Sequence, residues 1–377
     1  MTKTAHVLVA AGGTGGHLFP AIALADKMES EGFIVTFMTD SRGKTFGIDA
    51  EKFNVVTIEA DHFVGGVFKK IGALFSNVKG FLKAFRVLWK TKPDVVIGFG
   101  GYASFPALVS AVLLKIPSII HQADACLGRT NRLLAPYVTR IATSYETVKF
   151  LKPEWQQKVV LTGIPLRQEI ESLYTQPYPQ LEKDGIFQIL VMGGSQGAHV
   201  FGQVVPEAVK YLPPDHQRRL VISQQCRPEY LKDVREAYKT SAASVELAHF
   251  FDDMPLRYRD AQLVIGRSGA SSVNEIACAG RPAIFVPYPH AMDDHQTSNA
   301  EAAFDAGGAW IMPQTLFTAE KLAILLEEFF ESSWKLADAA VNMHKLARPD
   351  ATDHLISLVK SLMAFSQVEL TTKGEAT

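Results

Sequence analysis

The chain has 377 residues, 47% of them apolar, and 38 basic against 39 acidic side chains give a formal net charge of -1. This length exceeds what one hydrophobic core usually serves, so two domains are expected, and the charge balance argues against nucleic acid as the partner because phosphate-backbone binding needs a basic excess. Cys126, Cys226 and Cys278 lack the Cys-x-x-Cys spacing of a zinc or dithiol site, the N-terminus carries no export-type segment, and the Ala103 to Leu114 apolar run is interrupted by Pro106; a cytoplasmic protein without a spanning helix is expected.

The first element is a short apolar run, His6 to Ala11, which leads into a glycine-rich turn and a helix-compatible stretch, Val7–His17 reading VLVAAGGTGGH. Apolar runs at Val35 to Met38, Val95 to Ile97, Ser118 to Ile120 and Arg140 to Ala142 then alternate with amphipathic segments. Near Thr162 to Arg167 the chain enters a proline-rich polar stretch that ends at Gly185 and reads as a linker. The opening motif then recurs as ILVMGGSQGAH, Ile189 to His199, pairing Gly12 with Gly193, Gly13 with Gly194, Thr14 with Ser195 and Gly16 with Gly197. Further runs follow at Arg219 to Ile222, Leu263 to Ile265 and Ala283 to Val286. Strands alternating with helices predict parallel sheets, hence two doubly wound, Rossmann-like α/β domains. The boundaries drawn are 1–165 and 166–349, with a last helical pattern at about 350–365 that either closes the second domain or crosses back onto the first.

Between residues 62 and 93 no acidic residue occurs, while Val67, Phe68, Ile71, Leu74, Phe75, Val78, Phe81, Leu82, Phe85, Leu88 and Trp89 recur at helical spacing among lysines and an arginine. The Phe81 to Trp89 end is expected to pack into the core. The remainder, with Phe63, Val67, Phe68, Lys69, Lys70, Ile71, Leu74 and Phe75, suggests contact with an anionic membrane surface.

Both glycine turns stand where open α/β sheets bind ligands, at strand carboxyl ends and helix N-termini. Neither matches a dinucleotide fingerprint or a Walker loop, so a hydride-transfer cofactor and an ATP-type site are disfavoured. A third such turn, Gly266 to Glu275, carries Ser268, Ala270, Ser271 and Ser272 into a helix, where they read either as ordinary caps or as a phosphate cradle. Glu275 lies within reach of a ribose diol held at that end. His17 is the candidate general base, the other reading being a helix cap or a structural residue; such assistance is worth roughly 10²- to 10⁴-fold. Asp252, Asp253, Asp293 and Asp294 read as helix-start or surface acids, so neither metal nor cofactor is expected.

GGTGGHLFPA (Gly12 to Ala21), KPDVVIGFGGYASFPA (Lys92 to Ala107), GIPLR (Gly163 to Arg167), VMGGSQGA (Val191 to Ala198), FFDDM (Phe250 to Met254), the segment Arg267 to His290 and HQTSNA (His295 to Ala300) together resemble the MurG family of bacterial transferases, in one order through both domains. The resemblance implies a GT-B fold with two domains facing across a cleft. It also implies inverting transfer of N-acetylglucosamine from UDP-N-acetylglucosamine to the undecaprenyl-diphospho-muramyl-pentapeptide acceptor, lipid I, at the cytoplasmic face of the membrane. It places Thr14, Gly15, Gly16 and His17 at the donor and acceptor-diphosphate site, Arg167 and Ser195 on the donor, and Ala270, Ser271, Ser272, Val273, Asn274 and Glu275 on its diphosphate and ribose. Gln296 falls on the sugar and the backbone of Phe251 on uracil.

The family pattern His-Glu-Gln-Asn is replaced by His-Gln-Ala-Asp at His121 to Asp124. Asp124 thus stands where an asparagine neighbours the donor sugar. Three roles are open to it: meeting a hydroxyl, pairing with Arg167, or orienting His17 as part of the catalytic set. Two other functions suit the same fold, a UDP-N-acetylglucosamine 2-epimerase acting on a soluble sugar and a non-catalytic nucleotide-sugar-binding scaffold.

Overall fold

In the computed structural model, residues 4–41, 43, 48–59, 67–101, 103–194 and 198–374 are described, without the side chains of 67–77 and 365–374. The chain forms two compact units, Met1–Arg167 with Asp350–Thr377, and Gln168–Pro349.

The first unit holds strands β1 (His6–Ala10), β2 (Ile34–Thr39), β3 (Asn54–Thr57), β4 (Val95–Gly98), β5 (Ser118–Gln122), β6 (Arg140–Thr143) and β7 (Val159–Leu161). They form one sheet in the order β3-β2-β1-β4-β5-β6-β7, every pairing parallel. Its helices are α1 (Gly15–Ser30), α2 (Val67–Thr91), α3 (Ser104–Leu113) and α4 (Arg129–Leu134), joined by the last helix of the chain, α14 (Ala351–Gly374). A strand sends alternate side chains to opposite faces. Val7 and Val9 therefore pack with Leu18, Ala21 and Leu24 of α1 and Leu355, Val359 and Leu362 of α14. Leu8 and Ala10 pack on the other face with Ala84 and Leu88 of α2 and Ala107 and Leu108 of α3. The chain's last helix crosses back onto the first unit, the second of the two placements open from sequence.

The second unit holds β8 (Phe187–Met192), β9 (Leu220–Gln225), β10 (Ser244–Ala248), β11 (Leu263–Gly266), β12 (Ala283–Phe285) and β13 (Ala309–Ile311), ordered β10-β9-β8-β11-β12-β13 and again wholly parallel. Its helices are α5 (Gln168–Glu171), α6 (His199–Tyr211), α7 (Pro214–Arg218), α8 (Leu231–Tyr238), α9 (Met254–Asp260), α10 (Ala270–Ala279), α11 (His295–Asp305), α12 (Ala319–Glu331) and α13 (Trp334–His344). Phe187, Ile189 and Val191 of β8 bury against Phe201 and Val205 of α6 and Leu326 and Phe329 of α12.

The internal repeat has a backbone counterpart. Gly13 after β1 has φ +87° and its partner Gly194 after β8 has φ +73°, a region that glycine enters without steric cost. Each lies between the end of a strand and the helix that follows it in the chain.

Candidate active site

In the first unit the candidate groups gather at the carboxyl ends of β1, β4 and β5. Thr14 is the N-cap of α1 in extended conformation and makes no side-chain cap; no acid lies in the first turn. The helix thus presents Gly15 and Gly16 at a positive dipole end that favours an anion. His17, half-buried, follows on the same turn. The loop after β4 closes on it. A Cβ added to Gly100, at φ +107°, would lie 2.7 Å from His17 Cδ2 and 2.8 Å from its Nε2, so only a glycine backbone fits against that ring. One added to Gly101 would lie 2.1 Å from the carbonyl oxygen of Gly12, which locks the two glycine turns together. Ser104 at the start of α3 holds this arrangement: its buried Oγ accepts the Gly100 amide at 2.9 Å and donates to the Ala10 carbonyl at 2.8 Å.

A second histidine stands behind the first. His121 at the end of β5 is 1% exposed, its Nε2 donates to the Gly163 carbonyl at 2.9 Å, and its ring lies 4.7 Å from that of Phe99. Its Nδ1 is buried and makes no hydrogen bond among the described residues. Burial pushes its pKa down to about 4; the Gly163 bond opposes the shift and the nearby His17 charge adds to it. His121 is neutral at physiological pH.

The departure at 121–124 has a structural core of its own. Gln122 is buried, its Nε2 donating to the carbonyls of Asp124 at 3.0 Å and Cys126 at 2.7 Å, while its Oε1 accepts from Gly128 N and Asn131 Nδ2. This side chain shapes the turn that carries Asp124, itself half-buried. Arg167 stacks its guanidinium 5.4 Å from the ring centre of Phe19, and its Nε is buried without a hydrogen bond among the described residues.

In the second unit, β11 runs into α10 through Gly269, an N-cap with no side chain, and no acid lies in the first turn. Ala270 and Val273 are buried, whereas Ser271, Ser272, Asn274 and Glu275 are half-buried. Asn274 turns back to the Ala270 carbonyl at 2.9 Å. Glu275 Oε2 accepts the hydroxyl of Tyr258 at 3.0 Å. The serine preceding the helix is fully buried: Ser268 Oγ donates to the Gln296 carbonyl at 2.7 Å, and Asn299 Nδ2 to the Ser268 carbonyl at 3.0 Å, which ties α11 to α10. Gln296 Oε1 in turn accepts the Tyr288 amide at 2.9 Å.

Phe251 is buried, with the Arg257 guanidinium 4.4 Å from its ring centre. Arg257 is paired with Asp253 and Glu246, bonds that raise its pKa. Asp253 is the N-cap residue of α9 and Asp294 that of α11, where its Oδ1 accepts from Thr297. Among the described residues, no group of three or more His, Cys, Asp or Glu side chains is placed to hold a metal ion.

Ser195 and Phe63 lie outside the described residues. Val67, Phe68, Lys69, Lys70, Ile71, Leu74 and Phe75 start α2, but their side chains are likewise outside the description. In the rest of α2 the expectation of a core segment holds for one face only. Ala84 and Leu88 are fully buried, and a Cβ on Gly80 would lie 2.0 Å from the Glu59 carbonyl oxygen, so one face is pressed onto the unit. At 100° per residue Val78, Leu82 and Trp89 fall on the opposite face, and they are 47%, 45% and 65% exposed. Lys79, Lys83, Arg86 and Lys90 are exposed beside them. The apolar spacing wraps too much of this helix for one buried stripe.

Models of the glycosyltransferase family 28 N-terminal and C-terminal domains match residues 7–143 and 188–355. The chain belongs to glycosyltransferase family 28. The enzyme is 44% identical over 365 residues to the UDP-N-acetylglucosamine–N-acetylmuramyl-(pentapeptide) pyrophosphoryl-undecaprenol N-acetylglucosamine transferase of Paramagnetospirillum magneticum, covering 96% of this chain and 98% of that one. Among solved structures it is similar to Acinetobacter baumannii MurG, with a TM-score of 0.77 and 30% identity over 95% of this chain and 99% of the other. It is a MurG-family glycosyltransferase with the GT-B architecture. A UDP-GlcNAc 2-epimerase from Neisseria meningitidis bound to UDP-GlcNAc superposes with a TM-score of 0.64 at 15% identity, over 94% of this chain and all of that one, which establishes common fold alone.

His121, Gln122, Gly100 and Tyr258 were not singled out as site residues from sequence. His121 and Gln122 stood in the motif whose departure drew attention to Asp124; Tyr258 carried no local signal.

Proposed function

We propose that this glycosyltransferase moves N-acetylglucosamine from UDP-N-acetylglucosamine to lipid I, giving the disaccharide-bearing lipid II of peptidoglycan synthesis. The observation that carries the reading is the likeness, over nearly the whole length of both chains, to a transferase of that name.

The chemistry makes distinct demands on the two units. The second unit holds the donor: the N-terminus of α10, whose cap residue Gly269 has no side chain, takes the diphosphate with Ser271 and Ser272, Glu275 takes the ribose, the backbone at Phe251 takes uracil, and Gln296 and Ser195 meet the rest of the donor. The first unit reads the acceptor diphosphate with Thr14, Gly15 and Gly16. His17 accepts the proton of the acceptor hydroxyl as its oxygen bonds to the anomeric carbon and the bond from that carbon to UDP breaks, inverting the centre. Charge that develops on the leaving diphosphate is met by helix dipoles and Arg167, whose buried Nε supports an anionic partner.

The acceptor's polyprenyl chain requires work at a membrane. No helix among the described residues is long and apolar enough to cross one. The enzyme instead attaches peripherally to the anionic cytoplasmic surface through α2, where Val78, Leu82 and Trp89 stand beside four basic residues. The exposed stripe extends the surface expected at Phe63 to Phe75 by almost four turns.

Product analysis tests the proposal. Incubation with UDP-N-acetylglucosamine and a lipid I analogue is expected to give the disaccharide lipid and UDP in equal amounts. Conversion of the donor to its 2-epimer without lipid would contradict it.

A further inference from the structure

We propose that Tyr258 is the positioning residue that fixes the Glu275 carboxylate for the ribose diol, and so sets the preference for ribonucleotide over deoxyribonucleotide donors. This rests on the reading of the second unit as a uridine-diphosphate site.

Helices α9 and α10 are joined at two points. At the far end of α10 the chain turns at Gly280, φ +64°, and Arg281 runs back beneath α9 with no exposed surface. Its Nε donates to the Tyr258 carbonyl at 2.7 Å and its Nη2 to the Arg259 carbonyl at 3.0 Å. These are last-turn carbonyls of α9, the negative end of that helix, where a cation is favoured. Arg281 thereby fixes the backbone of Tyr258. The second joint is the tyrosine's own side chain: fully buried, it ends in a hydroxyl that donates to Glu275 Oε2 at 3.0 Å.

A buried tyrosine hydroxyl needs a partner, and a carbonyl would serve. Here the partner is a half-buried carboxylate on the second turn of a helix whose N-terminus opens at the end of β11. A glutamate has three side-chain torsions to restrict before it can accept two vicinal hydroxyls. Anchoring one oxygen to a rigid ring removes most of that freedom before the ligand arrives. A site built to satisfy a hydroxyl pair then discriminates against a ligand that lacks one.

The test compares UDP with 2′-deoxy-UDP by calorimetry, and the corresponding sugar donors by rate, in wild type, Tyr258→Phe, Glu275→Gln and the double variant. Phenylalanine keeps the buried ring and the carbonyl that takes Arg281. The expected result for Tyr258→Phe is a Kd for UDP and a KM for the donor raised about tenfold, kcat within about twofold, and a reduced ribo-to-deoxyribo ratio. The double variant should be no worse than Glu275→Gln alone, since the two residues act as one unit. Glu275→Asp, which keeps the charge but draws it away from the tyrosine, should lose the same discrimination and covers the case in which Tyr258→Phe does not fold. A wild-type ratio in Tyr258→Phe, or additive losses in the double variant, would overturn the proposal, as would a wild-type ratio in Glu275→Gln. Absence of UDP binding by the wild type would instead remove the nucleotide-site reading on which it rests.

Discussion

Gly100 and Gly32 both place a glycine in positive φ, at +107° and +86°, but a Cβ at Gly32 meets nothing within 4 Å whereas one at Gly100 strikes the His17 ring. The pair separates backbone strain from displacement of the proposed base, His17. Gly100→Ala is expected to lower kcat about 10²-fold, the loss that follows from a shift of about 1 Å in a catalytic group, while Gly32→Ala loses only stability. Steady-state rates beside urea midpoints for both variants check this. His121 yields a pH prediction. Because its folded pKa is pushed down to about 4 from an ordinary value near 6.5, the unfolded chain binds the proton more readily between those values. The stability it contributes is present above pH 6.5 and lost as pH falls toward 4. His121→Gln should flatten that part of the urea stability profile; an unchanged slope would mean the ring is not held neutral. At this scale the sequence was only partly legible. His17 stood out because a strand, a glycine turn and a helix start flank it locally. Tyr258 and Glu275 are 17 residues apart and meet only through the packing of two helices, and the Gln122 network depends on a turn that its own bonds create.

The elements missed by hydrophobic pattern are the four sheet edges, β3, β7, β10 and β13. Interior strands such as β1 and β4 are buried on both faces and read as continuous apolar runs. Edge strands are only half covered: Asn54–Thr57 and Ser244–Ala248 contain no fully buried residue, so their apolar signal is interrupted. Helix α2 failed in the opposite direction, since its pattern holds more apolar residues than one buried stripe accommodates. If that surplus serves a membrane, Leu82→Glu with Trp89→Glu should reduce sedimentation with anionic vesicles at least tenfold and slow transfer to a long-chain acceptor, leaving transfer to a short-chain soluble analogue within about twofold. Equal binding by the variant would remove α2 from the membrane face. Helix α14 permits a stability test. Leu355 is fully buried against β1 and α1, so Leu355→Ala should cost about 2–5 kcal/mol of first-unit stability in urea titration.

Over the whole molecule the architecture was legible because it is written twice. Two strand-glycine-helix openings about 180 residues apart, each followed by alternating runs, are enough to predict two parallel-sheet units, and the paired left-handed glycines Gly13 and Gly194 give that repeat a backbone form. The same property limits what fold can say about chemistry: a 2-epimerase shares this architecture at 15% identity. The functional proposal therefore rests on particular residues at the strand ends, foremost His17 against Gly100 and Glu275 against Tyr258. The measurement that tests the central claim most directly is UDP release from UDP-N-acetylglucosamine, with and without a lipid I analogue, in wild type and His17→Ala. Release that requires the lipid and falls at least 10²-fold in the variant is the predicted result; release independent of lipid, or undiminished without the histidine, would contradict a lipid-directed transferase with His17 as its base.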